Sequence, residues 1–591
     1  MSGDSSQLTE TSELPVFTTH GHTAWHASVR CPGTRKGSDV TSGATPHSET
    51  LERAVQAIED RSYWSAYPEH PKAYGEEAPD EGEAAFHALL GNPFETDQMH
   101  DGHRDVAESS PFGIELGITY PSTDVATVIG AATEAMRSWG SASTDDRAEV
   151  CLEILDRLSI QSFTMANAVM HTTGQSFLMA FQAGGPHALD RGLEAVAYTY
   201  REQKRLPDPL RWEKPQGKRP PIIIEKRWIT RPRGVAVLIG VSTFPTWNGY
   251  PGIFASLAAG NPVVVKPHPG TILPLALVVR TAREVLRDAG YDPNVLQLLV
   301  DTPDAPVAKD LVMRTEVGIV DYTGGSLFGD WLEQNVTHAD VYTEKAGVNS
   351  VILDSVRDLG SVFRNLSVSM TMYSGQMCTT PQNIFIPAGG VVVDGATVPY
   401  DDVVTGLVTA IEGLLSGDAR AAAILGAIKG AETLARIDEA TSLGAVLCTS
   451  RAVENSEFPD ATVRTPTIVE VDGSSDAYRK EVFGPVIFVV KTTSTSESVA
   501  LAKAVALESG AITWLAYATD ELTQESIIDA AVDAGVSVAF NLTGGLFVNQ
   551  SAAFSDFHVT GGNPAGNASL TDPAFVARRF IVVGVRLEPG S

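Results

Sequence analysis

Cysteine is scarce in this chain: four residues in 591, Cys31, Cys151, Cys378 and Cys448, with no CxxC pair and no ligand-like spacing. That excludes a disulfide framework and a cysteine-based zinc module. Basic residues are also few, 43 Lys and Arg against 72 Asp and Glu, for a formal charge of −29. Such a charge repels phosphate backbones and anionic bilayers, so nucleic acid and membrane surfaces are not expected partners. No apolar run reaches the roughly 18 residues needed to span a bilayer, and MSGDSSQLTETSEL has neither the basic start nor the apolar core of a signal peptide. A cytoplasmic protein is the expectation.

What is present is apolar material for more than one core, 43% hydrophobic residues. Residues 1–50, rich in Ser, Thr, Gly and His, have little to bury and read as a disordered tail. His20, His22 and His26 lie there without a companion Cys or carboxylate cluster, so no metal site is expected. Residues 51–120 form an extension that opens on the helical pattern LERAVQAIEDR. Beyond Pro121, with Ser122 as the expected N-cap, Val125, Val128, Ile129, Ala132 and Met136 recur at helical spacing, and helices continue to about Arg205.

PPIIIEKRWITRPRG then reads as a projecting β-ribbon, about residues 218–232. Next VAVLIGV, a helix near Ile253 to Ala259, PVVVK, a helix from about Leu273 to Ala289, and VLQLLV alternate as a doubly wound parallel sheet does. A second α/β unit has strands at NSVIL, QNIFIP, GAVL, PVIFVV and ITWLAYA, which leaves a cleft between the two. The terminal RRFIVVGVRLEPG is one strand, suited to pairing with the ribbon. The expected units are 121–344, a dinucleotide-binding domain carrying the ribbon; 345–545, a catalytic domain; and 546–591, a return to the first domain ending in an oligomerisation strand.

A lone cysteine is most often a small buried hydrophobe. Cys151, in the apolar phase of VCLEILDRL, and Cys31 and Cys448 are read so. Cys378 differs in company: SGQMCTTPQNIF stands downstream of Glu344 in TEKAGVNSVI. With DYTGGSLFG and KEVFGPV these make four ordered motifs, and on them the chain resembles the aldehyde dehydrogenase superfamily over roughly residues 120 to 590. FPTWNGYPG, VVVKPHPG, MHTTGQSFLMAFQAGGPHALDRGLEAVAY and NLTGGLFVNQSAAFSDFHVTGGNPAGNAS resemble the PaaN-type branch linked to phenylacetic acid degradation.

The resemblance implies an α/β fold of the aldehyde dehydrogenase type: a Rossmann-like cofactor domain, an α/β catalytic domain and a β oligomerisation ribbon, assembled as a homodimer or homotetramer. It implies Cys378 as the nucleophile and Glu344 as the base that hydrolyses the thioester. Thr323, Gly324 and Gly325 would form the cofactor turn, Lys266 would meet the adenosine ribose, and Glu481, with Phe483 beside it, the nicotinamide ribose. Pro269 stands where many NAD-preferring relatives carry a glutamate, so NADP or NAD is expected with a leaning to NADP, and His268 is a candidate for a 2′-phosphate. Thr243 stands at the family's oxyanion asparagine, whose loss costs about 3 to 4 kcal/mol elsewhere; Thr243 or Asn248 is expected to substitute. The implied substrate is a small aldehyde, in the PaaN-type reading a CoA-linked semialdehyde. A CoA-acylating enzyme and a non-catalytic member of the superfamily are the competing readings.

Overall fold

The computed structural model describes residues 46–207, 209–345, 347–548 and 553–589. The histidine-rich segment, Cys31 and nearly all of the expected tail lie outside the described residues. From Ser48 the chain is ordered: the helix Ser48–Asp60 buries Ala54, Ala57 and Ile58. The extension then wraps the body. Asp190 accepts from Ser65 Oγ at 2.5 Å and from the Ala66 N–H at 3.0 Å, and Phe86 stacks on His171.

The first long helix is Val125–Trp139, and its cap is Asp124, not Ser122; the carboxylate accepts from the Thr127 N–H at 2.8 Å. Ser122 is held back by the extension, since its N–H donates to Gly102 O and its hydroxyl accepts from Arg104. Helices Thr144–Ile160, Ser162–Thr173, Phe177–Gly184 and Pro186–Lys204 follow. Cys151 is fully buried.

Strands Leu210–Gln216 and Arg219–Pro232 form the ribbon, and the terminal strand Phe580–Leu587 adds to it antiparallel, from Phe580 opposite Pro232 to Leu587 opposite Glu225. The sequence reading lacked the first of these strands, whose mixed LRWEKPQ has no clean alternation. Ile222, Ile229, Ile581, Val582 and Val583 stay exposed on this sheet.

Five parallel strands run in the order Leu296–Leu298, Val263–Lys266, Val235–Ile239, Val317–Gly324, Asp340–Lys345. The chain winds outward one way from Val235–Ile239 and then returns to its other side, so the switch point lies between Ile239 and Gly324 at the carboxyl ends, where such sheets bind ligands. The helix after Val235–Ile239 is Pro245–Ala258, eight residues longer at its start than expected. Pro245 at its first position is pre-set for a helix, and the start was obscured by Pro251 and the glycines.

The second sheet has seven strands: Ala445–Cys448, Thr467–Asp472, Val486–Thr492, Pro381–Pro387, Asn349–Leu353, Thr513–Tyr517 and Ser537–Phe540. All pair in parallel except Ala445–Cys448, the antiparallel edge. Thr467–Asp472 and Ser537–Phe540 were not anticipated; the first sits among turn-forming residues and the second is short. No described helix is long and apolar enough to cross a membrane.

Candidate active site

Between the sheets lies a cavity of about 670 Å³, and all eleven residues singled out from the sequence line it: Cys378, Glu344, Thr243, Asn248, Lys266, His268, Thr323, Gly324, Gly325, Glu481 and Phe483.

Cys378 is delivered by a strained turn. After the helix Leu359–Thr371, Tyr373, Ser374 and Gly375 take φ of +51°, +51° and +64°. Left-handed backbone costs a non-glycine residue about 1 to 2 kcal/mol, so the turn must be held from outside. Tyr373 Oη donates to Thr173 O at 2.5 Å and Ser374 Oγ to Leu425 O at 3.1 Å. Gly375 packs so closely that a Cβ would lie 2.5 Å from Gly484 O. Beyond the thiol, Asn349 Nδ2 donates to Cys378 O at 2.7 Å, while Asn349 Oδ1 accepts from the Ile512 and Thr513 N–H groups. The sulfur therefore projects from a loop fixed on both sides.

Glu344 comes from the carboxyl end of the strand Asp340–Lys345 and is 1% exposed. Its Oε2 accepts from Asn248 Nδ2 at 2.7 Å, and its Oε1 lies 2.9 Å from His558 Nε2. Cys378 Sγ is 3.9 Å from that same nitrogen. Burial works against the Glu344 carboxylate, yet His558, the thiol and Arg191 outweigh it and hold its pKa below the usual range. The Cys378 thiol is driven the other way, up, by burial and then by the negative field of Glu344. A buried carboxylate needs donors, and that is why Asn248 commits an amide hydrogen to Glu344 instead of presenting it freely to an oxyanion. Thr243 lines the same wall, its carbonyl accepting from Gln175 Nε2 at 2.7 Å.

At the far end Lys266 is no exposed strand-end cation. It is 5% exposed and pairs with buried Asp301 at 2.7 Å. His268 sits exposed at the rim, its Nδ1 accepting from the Gly270 N–H. Thr323 and Gly324 end their strand, and Gly325 opens the helix Ser326–Asn335 with no side chain capping it. Free N–H groups at a helix start suit a phosphate, and a Cβ on Gly325 would meet open space. Glu481 is half-buried, and burial pushes its carboxyl up to about 7 against the Gly347 N–H and Arg436. A buried cation, an uncapped helix start and an acceptor carboxylate along one wall fit a nicotinamide dinucleotide.

One lysine joins the parts of this region. Lys429 Nζ donates to Gly270 O at 2.7 Å and to Ser109 O at 3.2 Å, and its own N–H donates to Gln376 Oε1 at 3.0 Å. Next to Ser109, Glu108 accepts from the Leu273 N–H at 2.9 Å and the Ile272 N–H, so the extension caps the helix Leu273–Asp288.

The Aldehyde dehydrogenase family description matches residues 118–524, more than two thirds of the chain. The chain belongs to the aldehyde dehydrogenase family. The crystal structure of an NAD-dependent aldehyde dehydrogenase from Burkholderia multivorans is 50% identical and superposes with a TM-score of 0.90, covering 92% of this chain and 98% of that one. The 1-pyrroline-5-carboxylate dehydrogenase from Thermus with bound NAD, 18% identical, shares the fold at a TM-score of 0.69 over 89% of this chain and 99% of its own. N-succinylglutamate 5-semialdehyde dehydrogenase of Burkholderia cenocepacia is 26% identical over 65% of this chain and 74% of its own length.

The sequence motifs for this aldehyde dehydrogenase missed His558, Asp301 and Asn349. His558 lies 180 residues beyond Cys378 in an irregular segment. Asp301 lies in a loop after a short strand, and Asn349 is an unremarked residue within TEKAGVNS.

Proposed function

We propose that this aldehyde dehydrogenase oxidises its substrate to the free carboxylic acid through a thioester on Cys378, with Glu344 as the hydrolytic base. The observation that carries the reading is the Glu344 carboxylate, buried, held in its ionised form and set against the nucleophile within one cavity. A CoA-acylating enzyme has no need of a base at that place. The thiol is protonated at rest, and Glu344 lies close by to take its proton and release it to solvent through the cavity before the hydrolytic step. The Cys378 sulfur then bonds to the aldehyde carbon, and the Cys378 N–H and the Thr243 hydroxyl are the proposed donors to its oxygen. The dinucleotide, when bound, supplies the hydride acceptor. Glu344 afterwards takes a proton from the water that cleaves the thioester.

Lys266, the uncapped start of Ser326–Asn335 and Glu481 are the proposed holders of the adenosine ribose, the pyrophosphate and the nicotinamide ribose. Both NADP and NAD are proposed as acceptors. Pro269 makes room for a 2′-phosphate, with His268 at the rim to meet it, and Asp301 is the counterweight that favours NAD. Relatives named for semialdehydes support a substrate with a second polar end, and the PaaN-type phrases narrow it to a CoA-linked semialdehyde of phenylacetate breakdown. The apolar, exposed ribbon supports a homodimer or homotetramer, which light scattering measures.

The test mixes the protein with NAD or NADP and a panel of aldehydes, including a CoA-linked semialdehyde, without free CoA, beside Cys378→Ala. Cofactor reduction confined to the unaltered protein, with the free acid identified by mass spectrometry, is expected. Reduction that requires free CoA and yields acyl-CoA overturns the hydrolytic reading, and no Cys378-dependent reduction overturns the whole.

A further inference from the structure

Among the described residues, Cys378, His558 and Glu344 form one group whose ligand atoms all lie within 4.8 Å of one another. We propose that this group is a binding site for a thiophilic divalent cation of the zinc class, and that filling it withdraws the nucleophile. The binding stands on geometry alone; the inhibition rests on Cys378 being the nucleophile.

The three donor types are the soft thiolate, imidazole and carboxylate that zinc prefers. They converge on a single nitrogen: His558 Nε2 faces Glu344 Oε1 at 2.9 Å and Cys378 Sγ at 3.9 Å. That nitrogen has one hydrogen or one lone pair to offer, so it serves two neighbours poorly. A cation among the three atoms serves all of them. Tetrahedral zinc, with bonds of about 2.3 Å to sulfur and 2.0 Å to nitrogen, sets those two ligands about 3.5 Å apart and the nitrogen about 3.3 Å from a carboxylate oxygen. The found distances differ from these by about half an ångström, one longer and one shorter.

Two neighbouring side chains help to orient the ligands. Asn248 holds the other Glu344 oxygen at 2.7 Å, and the Trp247 ring stands edge-on to the imidazole at 4.6 Å between centroids. Binding releases the thiol proton to solvent, and thiolate and carboxylate together balance the double charge. The fourth position opens on the cavity, where water completes the shell. With its sulfur lone pair on the metal, Cys378 cannot attack a carbonyl, so metal and thioester exclude each other.

The experiment titrates reduced, chelator-stripped full-length protein with cobalt(II) chloride under argon, then with zinc chloride. One cobalt per chain with a sulfur-to-cobalt charge-transfer band and four-coordinate ligand-field intensity, displaced by zinc, is expected. Cys378→Ser removes the band, and His558→Gln weakens binding at least tenfold. Cys448→Ser, which removes the other half-buried thiol among the described residues, leaves both unchanged. In the unaltered protein zinc slows iodoacetamide labelling of Cys378 but not of Cys448, a readout free of any folding defect in the variants. Equal affinity in His558→Gln, a band that survives Cys378→Ser, or no protection of Cys378 overturns the proposal. If the protein reduces no cofactor, the functional reading fails while the cobalt spectrum still decides the metal site.

Discussion

Replacing Glu344 by Gln should move two properties of the active site in opposite directions. The carboxylate and the Cys378 sulfur are no more than 4.8 Å apart. At an effective dielectric of about 20, two like charges at that distance repel by about 3 kcal/mol. Burial first, and then this repulsion, keep the thiol protonated. Glu344→Gln removes the charge at nearly constant shape and enlarges the thiolate fraction near neutral pH. The thiolate so formed is a weaker nucleophile, by close to half of the gain on a logarithmic scale, which leaves labelling by iodoacetamide roughly ten- to thirtyfold faster. Turnover should fall by about 10² to 10⁴, the usual worth of a general base, and stopped-flow absorbance should show one equivalent of reduced cofactor per chain before the stall. Mass spectrometry of the stalled protein should find an acyl group on Cys378. Labelling that slows in the variant, or turnover within a few-fold of the unaltered enzyme, would refute the reasoning.

Glu481→Gln tests burial at the other end of the cavity. The carboxyl moves from an ordinary 4.5 up to about 7 on folding, so between those values the folded chain holds a proton that the unfolded chain has lost. Stability from this group is full below 4.5 and falls through that window; above it the ionised form costs about 3 kcal/mol, nearer 2 with solvent screening. Paired urea titrations should find the variant more stable than the parent near pH 8 and not near pH 5, and an equal difference at both counts against it. Asp301→Asn should raise the NADP over NAD ratio of kcat/KM by about fivefold, since one repelled charge near a 2′-phosphate is worth on the order of 1 kcal/mol; steady-state kinetics with both cofactors measures it. Gly375→Ala meets both a left-handed φ and the Gly484 carbonyl at 2.5 Å, so a loss of about 2 kcal/mol or more in thermal unfolding, with slower labelling of Cys378, is expected.

The parts of this fold that were legible in the sequence are those where one face is buried and the period is clean. Val125–Trp139 and Leu273–Asp288 show their helical apolar spacing, and VAVLIGV, PVVVK and PVIFVV announce buried parallel strands. Ser537–Phe540 is an edge strand only partly buried, so its pattern is weak. The site residues carried by motifs all reached the one cavity. What the motifs could not convey is pairing across distance: that Asn248 serves Glu344, that Lys266 meets Asp301, or that His558 returns to the thiol. Each depends on where loops end in space, and no local periodicity encodes that. The Ser122 cap failed for the same reason, because the competing partners came from an extension whose path was unknown.

Lys429 behaves as a strut. Its backbone N–H holds the Cys378 loop through Gln376, its ammonium holds the cavity rim at Gly270 O, and the extension meets it at Ser109 O beside the Glu108 cap. The Cys378 loop and the Gly270 turn are therefore tied through one side chain, alongside the Tyr373–Thr173 hydrogen bond. Parting the Cys378 loop from the Gly270 turn has to break these attachments, so the residues before Pro121 help to hold the geometry of a cavity that they do not line.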